Sequence, residues 1–155
     1  MKSTGTRTKQ DRLTLSLNVQ DLSKDFVLES GQSTRRTDGQ TVMAQLLQAN
    51  PGLTAVYAEN DEMALGAIQA IKAAGKTPGT DIKIVSIDGT QQCVQDVANG
   101  SMVADVETNP RFGPLAFQAL SDFYSAKGTS EKVTITDHHY TKDNAQTSLT
   151  NGSVY

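Results

Sequence analysis

Three short polar clusters stand at the ends of apolar runs: Glu59-Asn60-Asp61 after LTAVYA, Asp88 after IKIVSI, and Glu107-Thr108 after SMVADV. Carboxylates and carboxamides placed this way do hydrogen-bond chemistry. A carboxylate only accepts, whereas an amide accepts through oxygen and donates through nitrogen. Together they can grip a pair of neighbouring hydroxyls, as a neutral polyol presents them. The plainer role is capping, with Asn60, Asp61 or Asp88 accepting from the first backbone N–H groups of the next helix for about 1 kcal/mol each. Capping is the simpler reading of Asp61. For Asn60 and Asp88 the residues alone leave both roles open.

Other chemistries find no constellation. His138 and His139 are adjacent in a predicted strand, which sends their side chains to opposite faces and gives them no shared metal. Cys93 is the sole cysteine, so it forms no intrachain disulfide and no thiolate metal set, and a buried structural thiol is expected. There is no G-x-x-x-x-G-K-[ST], no G-x-G-x-x-G and no G-x-S-x-G. With no nucleophile beside a base, an enzyme is not expected and no cofactor is implied.

The elements that must position these residues alternate. LTAVYA (53–58), IKIVSI (82–87) and SMVADVET (101–108) read as strands. Between them, DEMALGAIQAIKAAG sets Ala64, Ile68 and Ile71 on one helical stripe, with Leu65, Ala67 and Ala74 beside it, Gly75 at the cap and Pro78 after it. TQQCVQDVANG makes a short helix closed by Gly100. Upstream, FVLES (26–30) is a strand and DGQTVMAQLLQAN (38–50) a helix ended by Pro51. Downstream, 111–128 is a helix with a Phe112/Ala116/Leu120/Phe123 stripe, stopped by Gly128. KVTITDHHY (132–140) is a strand and the final polar stretch is frayed. In the first 25 residues, RLTLSLNVQ alternates like a strand where a helix would suit the order, and pattern alone does not decide. Strand–helix–strand units of these lengths predict an α/β fold, a Rossmann-like parallel sheet flanked by helices with right-handed crossovers. In such a sheet, ligands bind at the carboxyl ends of the strands, which is where the three polar clusters stand.

Composition agrees. With 155 residues the chain suits one domain, 1–155, and 37% hydrophobic residues with 5% aromatic and no Trp suit an Ala/Val/Leu-built layer structure. Fourteen basic against seventeen acidic residues leave a net charge of −3, which carries no footprint for nucleic acid. The basic residues of TGTRTKQDR and STRRTDG read as solvated loops. No apolar run approaches the ~20 residues of a membrane span, and MKSTGTRTKQ lacks the apolar stretch of a signal peptide.

The segment VYAENDEMALGAIQAIKAAGKTPGTDIKIVSIDGT, continued by VANGSMVADVETNP and RFGPLAFQAL and preceded by SGQSTRRTDGQTVMAQLLQANPGLTAV, closely resembles one family. It is that of the periplasmic sugar-binding proteins of ABC importers, in the ribose/galactofuranose-type branch of the type 1 periplasmic-binding fold. The resemblance spans roughly residues 30–145 and implies a single lobe, the second of two. It implies that Asn60 of N-D-x-M-A and Asp88 of the D-G motif bond sugar hydroxyls, that Glu107 or Thr108 touches the sugar at the crossing between lobes, and that Arg12 reaches its oxygens. Around Arg12 the pattern departs: Leu15-Ser16 replace the expected Gly-Phe, and Thr34 replaces an aromatic that would stack on the sugar. The implied partners are a pentose or hexose and the membrane subunits of an ABC importer, in a periplasmic or extracellular setting.

Length departs too, since family members have two lobes and are about twice this size. Either self-association through helix 111–127 or a folding-back of that helix onto the domain's own sheet is expected to cover its stripe. Two other readings stand beside the receptor. One is a self-associating structural module without sugar binding. The other is the effector domain of a lactose-repressor-type regulator, although the chain carries no helix-turn-helix segment.

Overall fold

Val- and Ile-rich runs become strands and the runs of helical period become helices, in strict alternation. The computed structural model describes the backbone of residues 25–28, and residues 35–130 and 132–155. In chain order these give β1 (Asp25–Leu28), α1 (Arg36–Ala49), β2 (Ala55–Ala58), α2 (Asp61–Ala73), β3 (Lys83–Asp88), α3 (Gln91–Asn99), β4 (Ala104–Glu107), α4 (Gly113–Tyr124), β5 (His139–Thr141) and α5 (Ala145–Thr150). The sheet order is β1-β2-β3-β4-β5, with the first four parallel and β5 antiparallel to β4. Each of the first three crossovers steps in the same direction. Right-handed connections therefore lay α1, α2 and α3 over one face. On that face Val56, Ala58, Ile84, Ser86, Asp105 and Glu107 are buried, while Tyr57, Val85, Ile87 and Val106 opposite stay half-buried.

Helix α2 is the centre of this layer. Asn60 caps it, Asp61 and Glu62 sit in its first turn and Lys72 in its last, all matched to the helix dipole. It buries Met63, Ala64, Leu65, Ala67, Ile68, Ala70 and Ile71, more than one stripe, because α1 covers its outer side. The two helices approach backbone to backbone. A Cβ added to Gly66 would lie 2.1 Å from the Arg36 carbonyl oxygen, and one added to Gly39 would lie 2.6 Å from Met63 Cα. Helix α3 ends at Gly100, whose φ of +86° is the left-handed cap that a side chain would resist. Met43, Val94, Val97 and Tyr140 complete the core.

Several expectations need correction. The final stretch is not frayed: α5 forms there, with Ala145 buried against the core. The predicted 132–140 strand shrinks to His139–Thr141, and the 101–108 strand begins only at Ala104. Ala74 is exposed instead of joining the α2 stripe, and α4 stops at Tyr124, ahead of Gly128. Nor does helix 111–127 fold back onto the sheet. No residue of α4 is buried, and Phe112 (53%), Phe117 (74%), Leu120 (51%) and Phe123 (66%) stay exposed. Among the described residues no helix is long and apolar enough to cross a membrane.

Candidate ligand-binding edge

The carboxyl ends of β2, β3 and β4 lie side by side, and the sequence places a polar residue at each. Asp88 and Glu107 are register partners across β3 and β4. The Thr108 amide donates to the Asp88 carbonyl at 2.8 Å, which ties the two strand ends together. Asp88 Oδ2 accepts from the Asp61 amide at 3.2 Å, which brings its carboxylate beside Asn60. Asn60, Asp88 and the exposed Thr108 thus share one edge of the sheet.

The backbone bends sharply to make this edge. Asp88 has a φ of +154° and Gly89 follows at +83°. Any Cβ at Gly89 would meet Glu107 Cα at 2.8 Å, so only glycine lets the chain leave β3 this close to β4.

Both open roles turn out to be occupied in part. Asn60 Oδ1 accepts from the Met63 amide at 2.9 Å, a side-chain cap on α2. Asp88 Oδ2 serves the same helix end two residues earlier, at the Asp61 amide. What remains for a guest is the Asn60 amide nitrogen, with two donors, and Asp88 Oδ1, an acceptor. Burial raises the Asp88 carboxyl above its ordinary value, against the opposing effect of the hydrogen bond it accepts from the Asp61 amide.

Asp61 does not cap its own helix, contrary to the sequence reading. Its buried carboxylate turns inward and accepts from Thr90 N (2.7 Å), Thr90 Oγ1 (2.6 Å) and Ser86 Oγ (2.6 Å). It therefore caps α3 from across the fold. Ser86 Oγ also lies 3.3 Å from Asp105 Oδ1. The serine has one hydrogen, already given to Asp61, so Asp105 must carry the proton that bonds this second pair. Burial first, then the charge of Asp61, pushes the Asp105 carboxyl up to about 8, which keeps that proton in place at neutral pH. Asp61, Cys93 and Asp105 each bring one ligand atom within 4.8 Å of the others. Here Cys93 Sγ donates to the Asp61 carbonyl at 3.6 Å and burial drives its thiol far up, so the three residues join a hydrogen-bonded core network around the Asp61 carboxylate.

Glu107 is placed differently from Thr108. Its side chain is fully buried, and Oε2 accepts from the His138 amide at 2.9 Å and meets His138 Nδ1 at 2.5 Å. Glu107 Oε1 has no hydrogen bond, and its ion-pair partner is Arg111 Nη1 at 3.9 Å. The carboxylate fastens the crossing between β4 and residue 138, and Thr108 faces solvent. Arg12 lies outside the described residues.

Sequence reasoning missed three residues at this edge. His138 was read as an ordinary strand residue but precedes β5 and turns to Glu107. Tyr155 donates its hydroxyl to the Asp88 carbonyl at 2.7 Å, and burial with the charge of Asp88 pushes its phenol up to about 12, so it stays a donor. The Arg111 guanidinium stands 6.0 Å from the Tyr155 ring centroid and donates to the Ser153 carbonyl at 3.2 Å. The only signal was that the chain ends on an aromatic after a polar stretch, and it says nothing about a partner 67 positions away.

A family model described as a periplasmic binding protein domain matches residues 12–147. The ribose import binding protein of Bacillus subtilis (strain 168) is 35% identical over 117 residues, 75% of this chain and 37% of that protein. The galactofuranose-binding protein of Escherichia coli (strain K12) is 41% identical over 111 residues, 70% of this chain and 35% of its own length. A solved periplasmic binding protein of the arabinose ABC transporter of Shewanella sp. ANA-3, bound to α- and β-L-arabinofuranose, superposes with a TM-score of 0.71 at 39% identity, over 76% of this chain and 40% of that one. The chain thus spans little more than a third of the curated relatives it matches.

Proposed function

Because this chain belongs to the periplasmic binding protein domain family, we propose that it is a sugar-recognising lobe of a solute receptor serving an ABC importer. We take residues 1–155 as one domain equivalent to a single lobe, acting in the periplasm or outside the cell and carrying no catalytic step. The observation that carries this reading is the meeting of an amide donor and a carboxylate acceptor on one strand edge, at Asn60 and Asp88. Asn60 Nδ2 donates to one sugar hydroxyl, Asp88 Oδ1 accepts from its neighbour, and the Thr108 hydroxyl does either. Glu107 contributes by holding the crossing, and Arg12 stays a candidate by family resemblance. The positive φ at Asp88 supports a role beyond capping, since backbone held outside the ordinary basins gathers at functional sites. The guest is a pentose or hexose, and the importer's membrane subunits are the downstream partner.

Among the described residues Asn60 and Asp88 are half-buried and Thr108 is exposed, so this edge by itself leaves much of the sugar wet and binds it weakly, in the millimolar range. Calorimetric titration against pentoses and hexoses tests the reading, with Asn60→Asp as the informative variant. That substitution keeps the oxygen that caps α2 and removes only the two donors. Wild type gives heat with at least one sugar, and Asn60→Asp weakens it about tenfold or more with unchanged stability. Silence with every sugar, or equal binding by Asn60→Asp, would overturn the assignment.

A further inference from the structure

Asp88 holds a φ of +154°, a value that a residue with a side chain rarely adopts. Such backbone lasts only where its surroundings over-determine it. Here it is held from several sides. Its Oδ2 accepts from the Asp61 amide at 3.2 Å, and Gly89 after it lies against Glu107. Its carbonyl oxygen accepts twice, from the Thr108 amide at 2.8 Å and from the Tyr155 hydroxyl at 2.7 Å, which uses both lone pairs. The strand ends and the start of α2 supply all of these contacts but one. The exception is Tyr155, a side chain 67 positions along the chain, and the sheet could form without it.

The segment that carries Tyr155 is built to place it. After α5 the chain turns, and the Ser153 amide donates to the Ser148 carbonyl and to Asn151 Oδ1, each at 3.0 Å. Val154 packs against the core, and Tyr155 reaches the edge. Arg111 fastens the segment to the end of β4. It donates to the Ser153 carbonyl at 3.2 Å, stands 6.0 Å from the Tyr155 ring centroid and lies 3.9 Å from the buried Glu107 carboxylate. Tyr155 stays 38% exposed, so its hydroxyl can be removed without opening a hole in the core.

We propose that Tyr155 is a positioning residue for this edge: its hydroxyl fixes the Asp88 carbonyl, and with it the direction in which the Asp88 carboxylate meets a guest. The inference rests on the reading of the edge as a sugar site. Asp88 Oδ1 is the acceptor left for a sugar hydroxyl, and its place follows from the Asp88 backbone. The same carbonyl holds the Thr108 amide, so one phenol steadies two residues that would touch the guest. Without the phenol, that lone pair turns to water. The Asp88–Gly89 peptide then samples other directions, because glycine resists none of them.

Tyr155→Phe removes the hydroxyl and keeps the ring. Amide hydrogen exchange, measured without sugar, reads the first consequence. Protection at Thr108 falls about three- to tenfold, the worth of one hydrogen bond, while the amides inside α2 and α3 keep theirs. A merely structural role would lower protection throughout. Titration of amide shifts reads the second consequence. With whichever of ribose, arabinose and galactose the wild type binds, the variant's Kd rises about three- to tenfold. Unchanged protection at Thr108, a loss spread evenly over the chain, or an unchanged Kd overturns the proposal. Silence of the wild type with every sugar contradicts the receptor reading itself, and exchange at Thr108, which needs no sugar, then decides whether Tyr155 holds Asp88.

Discussion

Asn60 and Asp61 are consecutive carboxamide and carboxylate at a strand end, yet they serve different parts of the fold. Asn60 faces the edge and caps its own helix; Asp61 turns inward and caps the next one. The sequence made Asn60 and Asp88 candidates because each stands in the polar cluster that closes an apolar run. It could not assign Asp61, whose partner Thr90 lies 29 positions on and becomes a neighbour only when β2 and β3 pair. Nor could it separate Glu107 from Thr108, because the pleat decides which of two successive residues is buried. Asp105 carries no signal of its own within the apolar run of its strand, yet it is fully buried, and that burial carries a consequence. Its folded carboxyl holds a proton up to about pH 8, whereas unfolded it releases it near the ordinary 3.8. Between those values the folded state binds more protons, so this residue's contribution to stability falls as pH rises and levels off above about 8. Asp105→Asn does not titrate and should remove that slope. Urea unfolding from pH 5 to 8 should show the variant gaining on wild type by a few kcal/mol across the window. A constant gap between the two would contradict the protonated pair.

At the scale of elements, helices of three turns or more with a clear apolar stripe were readable, and so were strands bounded by Asp-Gly or Asn-Pro signals. The failures were short. Six-residue α5 buries only Ala145, and three-residue β5 is held by β4 instead of by its own pattern, so neither leaves a periodic trace. The contact of α1 with α2 was invisible for another reason: a glycine inside a helical pattern shows a permissive position but not the neighbour that requires it. Gly66→Ala makes that neighbour measurable. The new methyl meets the Arg36 carbonyl oxygen and the Gln40 nitrogen, backbone atoms that cannot rotate away. The helices must separate, and a loss of about 2–4 kcal/mol is expected despite alanine's better helix propensity. Thermal unfolding reads this directly, and an unchanged or raised Tm would mean the helices do not touch there.

Across the described residues, one sheet is buried on one face and half-buried on the other, with a polar edge at its carboxyl end and an apolar helix, α4, none of whose residues is buried. The alternation of elements made the α/β class legible from the sequence. The exposure of α4 was not, because amphipathy identifies a face to be covered but not the surface that covers it. The edge explains why a lobe of this family would recognise hydroxyls, and its openness explains why the contact should be weak. Weak contact is best read residue by residue. The most direct test is amide NMR of the uniformly ¹⁵N-labelled chain, titrated with ribose, arabinose and galactose to tens of millimolar. Saturable shifts should cluster at Asn60, Asp88, Gly89 and Thr108, with α1 and α5 unmoved. No saturable shift with any of the sugars, or shifts centred away from the β2–β3–β4 edge, would contradict the account.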